Sequence, residues 1–516
     1  MSQKGVAHLK NKTAVALSAY ALLTPAVVVL PIILWKLPTP LIASTYGETY
    51  KLVELFGFCA SVWLIGYAYL ELRRSKSLKQ SLPTLLLVLV SFHFLVLFTE
   101  YSIKMPDFGC YQFAAQAVLQ GKNPYAACYL YPPFTAQVLA WWYRFTALVS
   151  SQIQPAVSEE SVWRLVFYFY QCNQFFLIQL TYLLCYSFTR SMGLKIVPAS
   201  LLVSALLLFN NPLVRTLRHN QVNLYVLDLI LLAVLLLNRY PVLSGLAVAL
   251  GTHIKLLPLA LVLPWGAAMK RMAVVAAATA FLAIGLIQTD WGRDLTLWYQ
   301  FLIFARASPD SFGFLVTPFF RENSLHSLVF NSLQMVARLT NAEPASIRNA
   351  SNIVVAVATL AVSIWFVVRV MQREKVRMLG GGLTGCLANN EDTLRMYGHS
   401  MDALAFTLIV APLVWEHQYV LAIPIVLWAV ATRGYANLCW IGIAAFLMFS
   451  LPTFDVFPFS YHRLVGLVML LYCTSPRRLP ILASLTIGSD APTNELSAME
   501  DFSSKPVSGR KTAHTD

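Results

Sequence analysis

Apolar runs close to the thickness of a bilayer core recur along this chain, separated by short polar stretches, and that repetition restricts the fold more than any other feature. A helix crossing the hydrocarbon needs about 20 mostly apolar residues, and only helices or closed barrels satisfy their own backbone there. Candidate runs are 14–35, 53–72, 82–98, 162–186, 196–213, 224–237, 273–287, 353–371, 403–414, 419–431, 436–451 and 464–473. One further run, 243–264, is interrupted by Gly251, His253, Lys255 and Pro258. Such residues suit a broken or re-entrant segment lining a protein cavity, not a helix facing lipid. With 58% hydrophobic and 12% charged residues, against roughly 45–50% and 25% in soluble proteins, the chain reads as an all-α polytopic membrane protein.

The formal charge of +14 does not point to nucleic acid. The basic residues form short clusters between apolar runs: Arg73, Arg74, Lys76 and Lys79; Lys270 and Arg271; Arg373, Lys375 and Arg377; Arg477 and Arg478. That spacing is what the excess of positive charge in cytoplasmic loops produces. Treating 243–264 as re-entrant gives about twelve crossings with both termini cytoplasmic, and puts every one of these clusters inside. Segments 107–160, 214–223, 289–352, 415–418 and 453–462 then share the outer face. The reading is one transmembrane domain over 1–488, followed by a polar, disordered cytoplasmic tail over 489–516. Run 14–35 exceeds a signal-peptide core and lacks a small-x-small cleavage site, so it reads as an anchor. The eight cysteines show no metal spacing. Cys110 and Cys128 share one outer loop, and whether they pair is left open.

The polar motifs cluster on the outer side. Asp107 follows a span at a membrane boundary, where a carboxylate is costly and usually has a function or a partner. It reads either as a catalytic base or as the N-cap of a helix over 108–119. Tyr111, Tyr125 and Tyr131 lie in the same loop, with Pro124, Pro132 and Pro133 stiffening it. An amphipathic stretch ending at Trp141 and Trp142 follows, suited to the membrane interface. His219, Asn220, Gln221 and Asn223 bring four hydrogen-bonding side chains to a helix entrance, more than capping by Asn220 explains. Lys255, inside the interrupted run, calls for an anionic partner or for snorkelling to the interface. Glu416 and His417 occupy a short turn without the spacing of a helical zinc site, so they read as sugar or phosphate contacts and not as metal ligands. No nucleotide-binding motif occurs, which favours a lipid-linked donor if the chain transfers sugar.

In order, these motifs resemble glycosyltransferase family 87, the polyprenyl-phosphate-mannose-dependent mannosyltransferases among the C-type membrane glycosyltransferases. The family pattern Asp-Phe-x-x-Tyr, Gly-x-x-Pro-Tyr, Tyr-Pro-Pro is similar to Asp107 to Tyr111, Gly121 to Tyr125 and Tyr131 to Pro133. Its Gly-Gln-x-Asn corresponds to Asn220-Gln221-Val222-Asn223, with the glycine replaced. Its Lys-x-x-Pro corresponds to Lys255-Leu256-Leu257-Pro258. Its Trp-x-His-His corresponds to Trp415-Glu416-His417-Gln418, with the second histidine replaced. Its Asn-Gln-Ser-Leu is reduced to Glu322-Asn323-Ser324-Leu325. The resemblance covers about 82–473, leaving two extra N-terminal spans.

The resemblance implies an inverting transfer of mannose from polyprenyl-phosphate-mannose to a hydroxyl of a lipid or glycan acceptor. The product is an α-mannoside, Asp107 acts as general base, and neither cofactor nor metal is needed. Expected partners are the lipid-linked donor, the acceptor and membrane lipids. The expected location is the cell (inner) membrane, with the active site on the periplasmic face. A transporter or lipid flippase is the alternative, since a broken helix and a membrane-embedded lysine also suit alternating access. Against it, no internal repeat is present and the polar motifs gather on one face.

Overall fold

A computed structural model describes residues 25–33, 48–75, 77–101, 106–153, 158–311, 322–340, 344–379, 386–433, 437–454 and 456–475. The tail over 489–516 and the first half of run 14–35 lie outside these residues. Among the described residues the fold is helical throughout, with one isolated antiparallel bridge between Glu322 and Trp415.

Helices α1 (25–33), α2 (Glu48–Arg74) and α3 (Leu78–Tyr101) are the N-terminal addition and its neighbour. Helix α4 (Pro106–Leu119) and α5 (Pro133–Ile153) form the first long polar segment, and α6 (Glu159–Ser191) is a long rod behind them. Phe56 of α2 meets Phe175 of α6 edge-on at 5.5 Å, and the Tyr168 hydroxyl donates to the Val28 carbonyl at 2.9 Å. The extra spans therefore cover one side of α6, away from the polar motifs.

Next come α7 (Ile196–Leu208) and α8 (Asn211–Arg218), predicted as one run over 196–213 but bent by 54°. Asn210 causes the break: its side chain accepts from the Leu213 backbone N–H at 2.8 Å and starts a new helix with Pro212 in its first turn. Then follow α9 (Asn223–Leu236), α10 (Pro241–Ile254), a 3-10 turn Leu257–Leu261, α11 (Val262–Ala267) and α12 (Arg271–Gln288).

Helix α9 runs away from the polar motifs and α10 returns, bringing Lys255 back beside Asn223. The chain then retreats through α11 to Lys270, which pairs with Asp392 at the far end. Segment 241–269 thus enters and leaves at the same end, as its interrupting residues predict. Gly245 permits this: a Cβ there would lie 2.5 Å from the Ala273 carbonyl oxygen and 2.6 Å from the Ala277 nitrogen, so α10 and α12 touch backbone to backbone.

The remaining helices are α13 (Thr296–Ser311), α14 (Leu325–Thr340), α15 (Pro344–Leu379), α16 (Cys386–Val410), α17 (Ile423–Thr432), α18 (Leu438–Ala445) and α19 (His462–Cys473). Four described helices are long and apolar enough to cross a membrane alone, or five counting the bent pair. Several other predicted runs are short helices or helix pairs. At about 1.5 Å per residue, 14-residue α9 and α10 each span about 21 Å. Short helices are tolerable because their polar ends stop inside the protein, where neighbouring side chains satisfy them.

Candidate active site

The first wall is the loop carrying Asp107. Pro106 opens α4, its fixed φ suited to a first helical position. Asp107 therefore sits in the first turn rather than capping a helix that starts at Phe108. Asp107 and Tyr111 are four residues apart, on one face of α4. Gly121, at φ +66°, ends that helix. Beyond it, Asn123 accepts from the Tyr125 backbone N–H at 2.9 Å, and a disulfide joins Cys110 to Cys128. The tyrosines divide by role. Tyr125 donates to the Tyr131 carbonyl at 3.1 Å, and Tyr129 donates to the Pro132 carbonyl at 2.6 Å while accepting from the Ala136 N–H at 3.2 Å. These two staple the loop. Tyr131 donates to Gln221 Oε1 at 2.6 Å, and Tyr111 reaches the same oxygen at 3.4 Å.

The second wall is the turn between α8 and α9. Asn220 adopts φ +54°, a left-handed conformation that asparagine tolerates better than most residues. Its carbonyl accepts from the Tyr170 hydroxyl at 2.6 Å, and the Gln221 carbonyl accepts from Gln174 Nε2 at 3.0 Å. Helix α6 thus satisfies a turn that would otherwise bury bare carbonyls.

Lys255 closes the third side at the end of α10. Its Nζ donates to Asn223 Oδ1 at 3.0 Å and lies 5.5 Å from the centroid of the Tyr131 ring. Asp107 feels that charge. Burial pushes its carboxyl up to about 6, and the attraction of Lys255 offsets only part of the rise.

The fourth side is the 3-10 turn Glu416–Ala422. The His417 carbonyl accepts from Thr216 Oγ1 at 3.1 Å and from Asn223 Nδ2 at 3.4 Å, and its ring stacks on Trp415 with centroids 6.1 Å apart. The His219 ring lies 6.2 Å from that of His417. Glu416 is already committed: Arg215 Nε stands 3.2 Å from one carboxylate oxygen and Arg463 Nη1 4.0 Å from the other. Beside it the Asn323 N–H donates to the Val414 carbonyl at 2.7 Å, and burial raises the Glu322 carboxyl to about 7. Among the described residues no group of three or more His, Cys, Asp or Glu side chains is placed to hold a metal.

The fold therefore brings Asp107, Tyr111, Tyr131, His219, Asn220, Gln221, Asn223, Lys255 and His417 into one connected polar cluster. Tyr125 supports the loop from behind, and Glu416 holds two arginines. His253 points away, with its Nε2 2.9 Å from the Phe281 carbonyl on α12. Sequence reasoning passed over Tyr170, Gln174, Arg215 and Arg463. Arg215 carried a usable signal, standing four residues before His219 on one helical face. Tyr170 and Gln174 sit inside an apolar run and show none.

Comparison with protein families decides the identity: the pattern describing glycosyltransferase family 87 matches residues 129–389. The chain belongs to glycosyltransferase family 87. Comparison with curated proteins gives no match. The protein is thus a membrane glycosyltransferase. In this family 87 chain the matched stretch takes in Tyr131, the turn from His219 to Asn223, and Lys255. Asp107 precedes it and His417 follows it, and the fold joins both to that stretch.

Proposed function

We propose that the protein transfers mannose from polyprenyl-phosphate-mannose to a hydroxyl of a lipid or glycan acceptor, with inversion to an α-mannoside. The observation that carries this reading is the pairing of one ionisable carboxylate, Asp107, with the charge of one buried ammonium, Lys255, which sits beside the Tyr131 ring. Asp107 takes the acceptor proton as the acceptor oxygen bonds to the sugar's anomeric carbon. The bond from that carbon to the phosphate oxygen breaks on the opposite face, and the electron pair leaves with the lipid phosphate. A phosphate leaves without being protonated, so one carboxylate suffices where a glycosidase needs two. Lys255, with Arg215 nearby on α8, offsets the negative charge that grows on the leaving phosphate. Asn223 holds the lysine in place, and Gln221 fixes Tyr131 beside it.

The carboxyl value near 6 suits this role. It leaves Asp107 mostly ionised at neutral pH yet a stronger base than an exposed aspartate. The mannosyl assignment rests on the likeness of the motif series to the family pattern. The outer, periplasmic placement of the site rests on the distribution of basic clusters.

The deciding experiment supplies radiolabelled polyprenyl-phosphate-mannose to the reconstituted protein and to Asp107→Asn, with glucosyl and arabinosyl donors in parallel. Expected is α-mannoside from the wild type alone, unaffected by a chelator. Transfer from another donor but not from mannose would remove the sugar assignment. Equal product from both proteins would remove Asp107 from the chemistry.

A further inference from the structure

Beside the candidate site, positive charge exceeds the carboxylate that faces it. Glu416 is one carboxylate between two guanidinium groups, with Arg215 Nε at 3.2 Å and Arg463 Nη1 at 4.0 Å. One positive charge is therefore left over in this triad. The two arginines differ in access. The Arg463 side chain is 1% exposed, and its guanidinium is engaged at the start of α19, where Nη2 donates to the Leu451 carbonyl at 3.1 Å and Nη1 lies 3.3 Å from His462 Nε2. The Arg215 side chain is 30% exposed. Its Nη atoms donate to no described residue, and neither is closed off from the surface. The surplus charge thus sits on Arg215.

Arg215 also stands on the side of the polar cluster. Thr216, the next residue, donates to the His417 carbonyl at 3.1 Å, and Asn223 links that same carbonyl to Lys255 Nζ. One turn along α8, the His219 ring lies 6.2 Å from that of His417. Burial, and then the charges of Lys255, His219 and Arg215, lower the proton affinity of His417. The lysine and the arginine therefore act on one imidazole, from α10 and α8.

A lipid-phosphate sugar donor changes charge as it reacts. The phosphodiester carries one negative charge when it binds, and the phosphate monoester that leaves carries up to two. In the same step Asp107 takes the acceptor proton and loses its own charge. Lys255 is then released from its carboxylate just as the second phosphate charge develops. Arg215 undergoes no such change, because Glu416 stays ion-paired between the two arginines throughout. We propose that Arg215, held at Nε by Glu416, binds the donor phosphodiester through its Nη edge before any bond breaks, and that Lys255 serves the charge that develops afterwards. A guanidinium fixed at one edge presents a planar fork that suits two phosphate oxygens. Arg215 lies outside the motifs that resemble the family pattern, and its assignment rests on the lipid-phosphate donor reading.

Binding of polyprenyl phosphate to the full-length protein in detergent, with polyprenol as the uncharged control, tests this without using any sugar. Expected is a preference of wild type for the phosphate, weakened roughly tenfold or more by Arg215→Gln, less by Arg215→Lys, and not at all by Arg239→Gln at an exposed turn. In transfer assays Arg215→Gln should raise the donor KM and change kcat by less than about threefold, whereas Lys255→Met should lower kcat. Equal binding of polyprenyl phosphate by wild type and Arg215→Gln, or an Arg215→Gln defect confined to kcat, overturns the assignment and leaves the donor class standing. Wild type that binds polyprenol as tightly as polyprenyl phosphate overturns the assignment and the donor class together. Should Arg215→Gln not fold, Arg215→Lys keeps a cation beside Glu416 and loses the fork. Weaker binding than wild type is then expected, and equal binding overturns the assignment.

Discussion

Asparagine at position 107 should stop catalysis without weakening the fold. The folded carboxyl titrates near 6 instead of 3.8 because it is largely buried. A raised acid value favours the protonated form, so its stabilising contribution is complete below about pH 3.8 and is lost as pH rises through about 6. At pH 7.5 the ionised group is therefore a burden on the fold. At about 1.4 kcal/mol per unit, a rise of about two units sets an upper bound near 3 kcal/mol. Partial contact with water reduces this to about 1 kcal/mol. Asparagine keeps the shape and discards the charge, so Asp107→Asn should unfold no earlier than wild type at pH 7.5, with a gap that narrows toward pH 4.5. Thermal unfolding in detergent measures this. In the transfer assay the wild-type rate should fall about tenfold per pH unit below about 6, and the variant should lose roughly 10²–10⁴-fold throughout. A variant that melts well below wild type at pH 7.5, or a wild-type rate that is flat from pH 7 to 4.5, would refute the argument.

Lys255→Met should reduce single-turnover transfer by roughly 10²–10³-fold, and a loss under threefold would take the lysine away from the leaving phosphate. Replacing Cys110 and Cys128 together by serine opens a link across 18 positions. A loss of about 3 kcal/mol is expected from loop entropy, and treatment of wild type with a reductant should lower its melting temperature in the same way. Gly245→Leu drives a side chain into the α12 backbone and should cost about 3 kcal/mol or more. Gly285→Ala, where a Cβ meets nothing within 4 Å, should gain up to about 1 kcal/mol. Parallel melting curves would expose the reasoning if the two glycines behaved alike.

Apolar runs were legible because the bilayer imposes their length on the sequence directly. Where charge intrudes, that signal fails. The run read as 403–414 belongs to a helix that begins at Cys386, and the part of that helix before the run carries Asp392, Arg395, His399 and Asp402. Hydropathy rejects such a stretch as a span. The structure keeps it because Lys270, Glu374, Arg369 and Arg373, all from other segments, face those charges. The same limit hid Arg463, which the fold brings to Glu416 from a distant helix. Within the first loop, composition marked its tyrosines as a group. Spacing could not separate Tyr125, which staples the loop, from Tyr131, which meets Gln221.

Short helices and the polar cluster at their ends are one physical arrangement. Each helix that stops early leaves backbone groups without partners, and the side chains of the cluster satisfy them. Asn223 shows this most clearly. Its amide N–H donates to the His417 carbonyl at 3.4 Å while its carbonyl oxygen holds Lys255 Nζ at 3.0 Å. Asn223→Leu removes both at once, leaving a buried ammonium short of an acceptor and a buried carbonyl with Thr216 alone. Deleting the partner of a buried charge costs about 3–5 kcal/mol, so this variant should lose stability and transfer together. Asp107→Asn should lose transfer only. If Asn223→Leu melts like wild type, the polar cluster does not support the broken helices, and the short helices need another explanation.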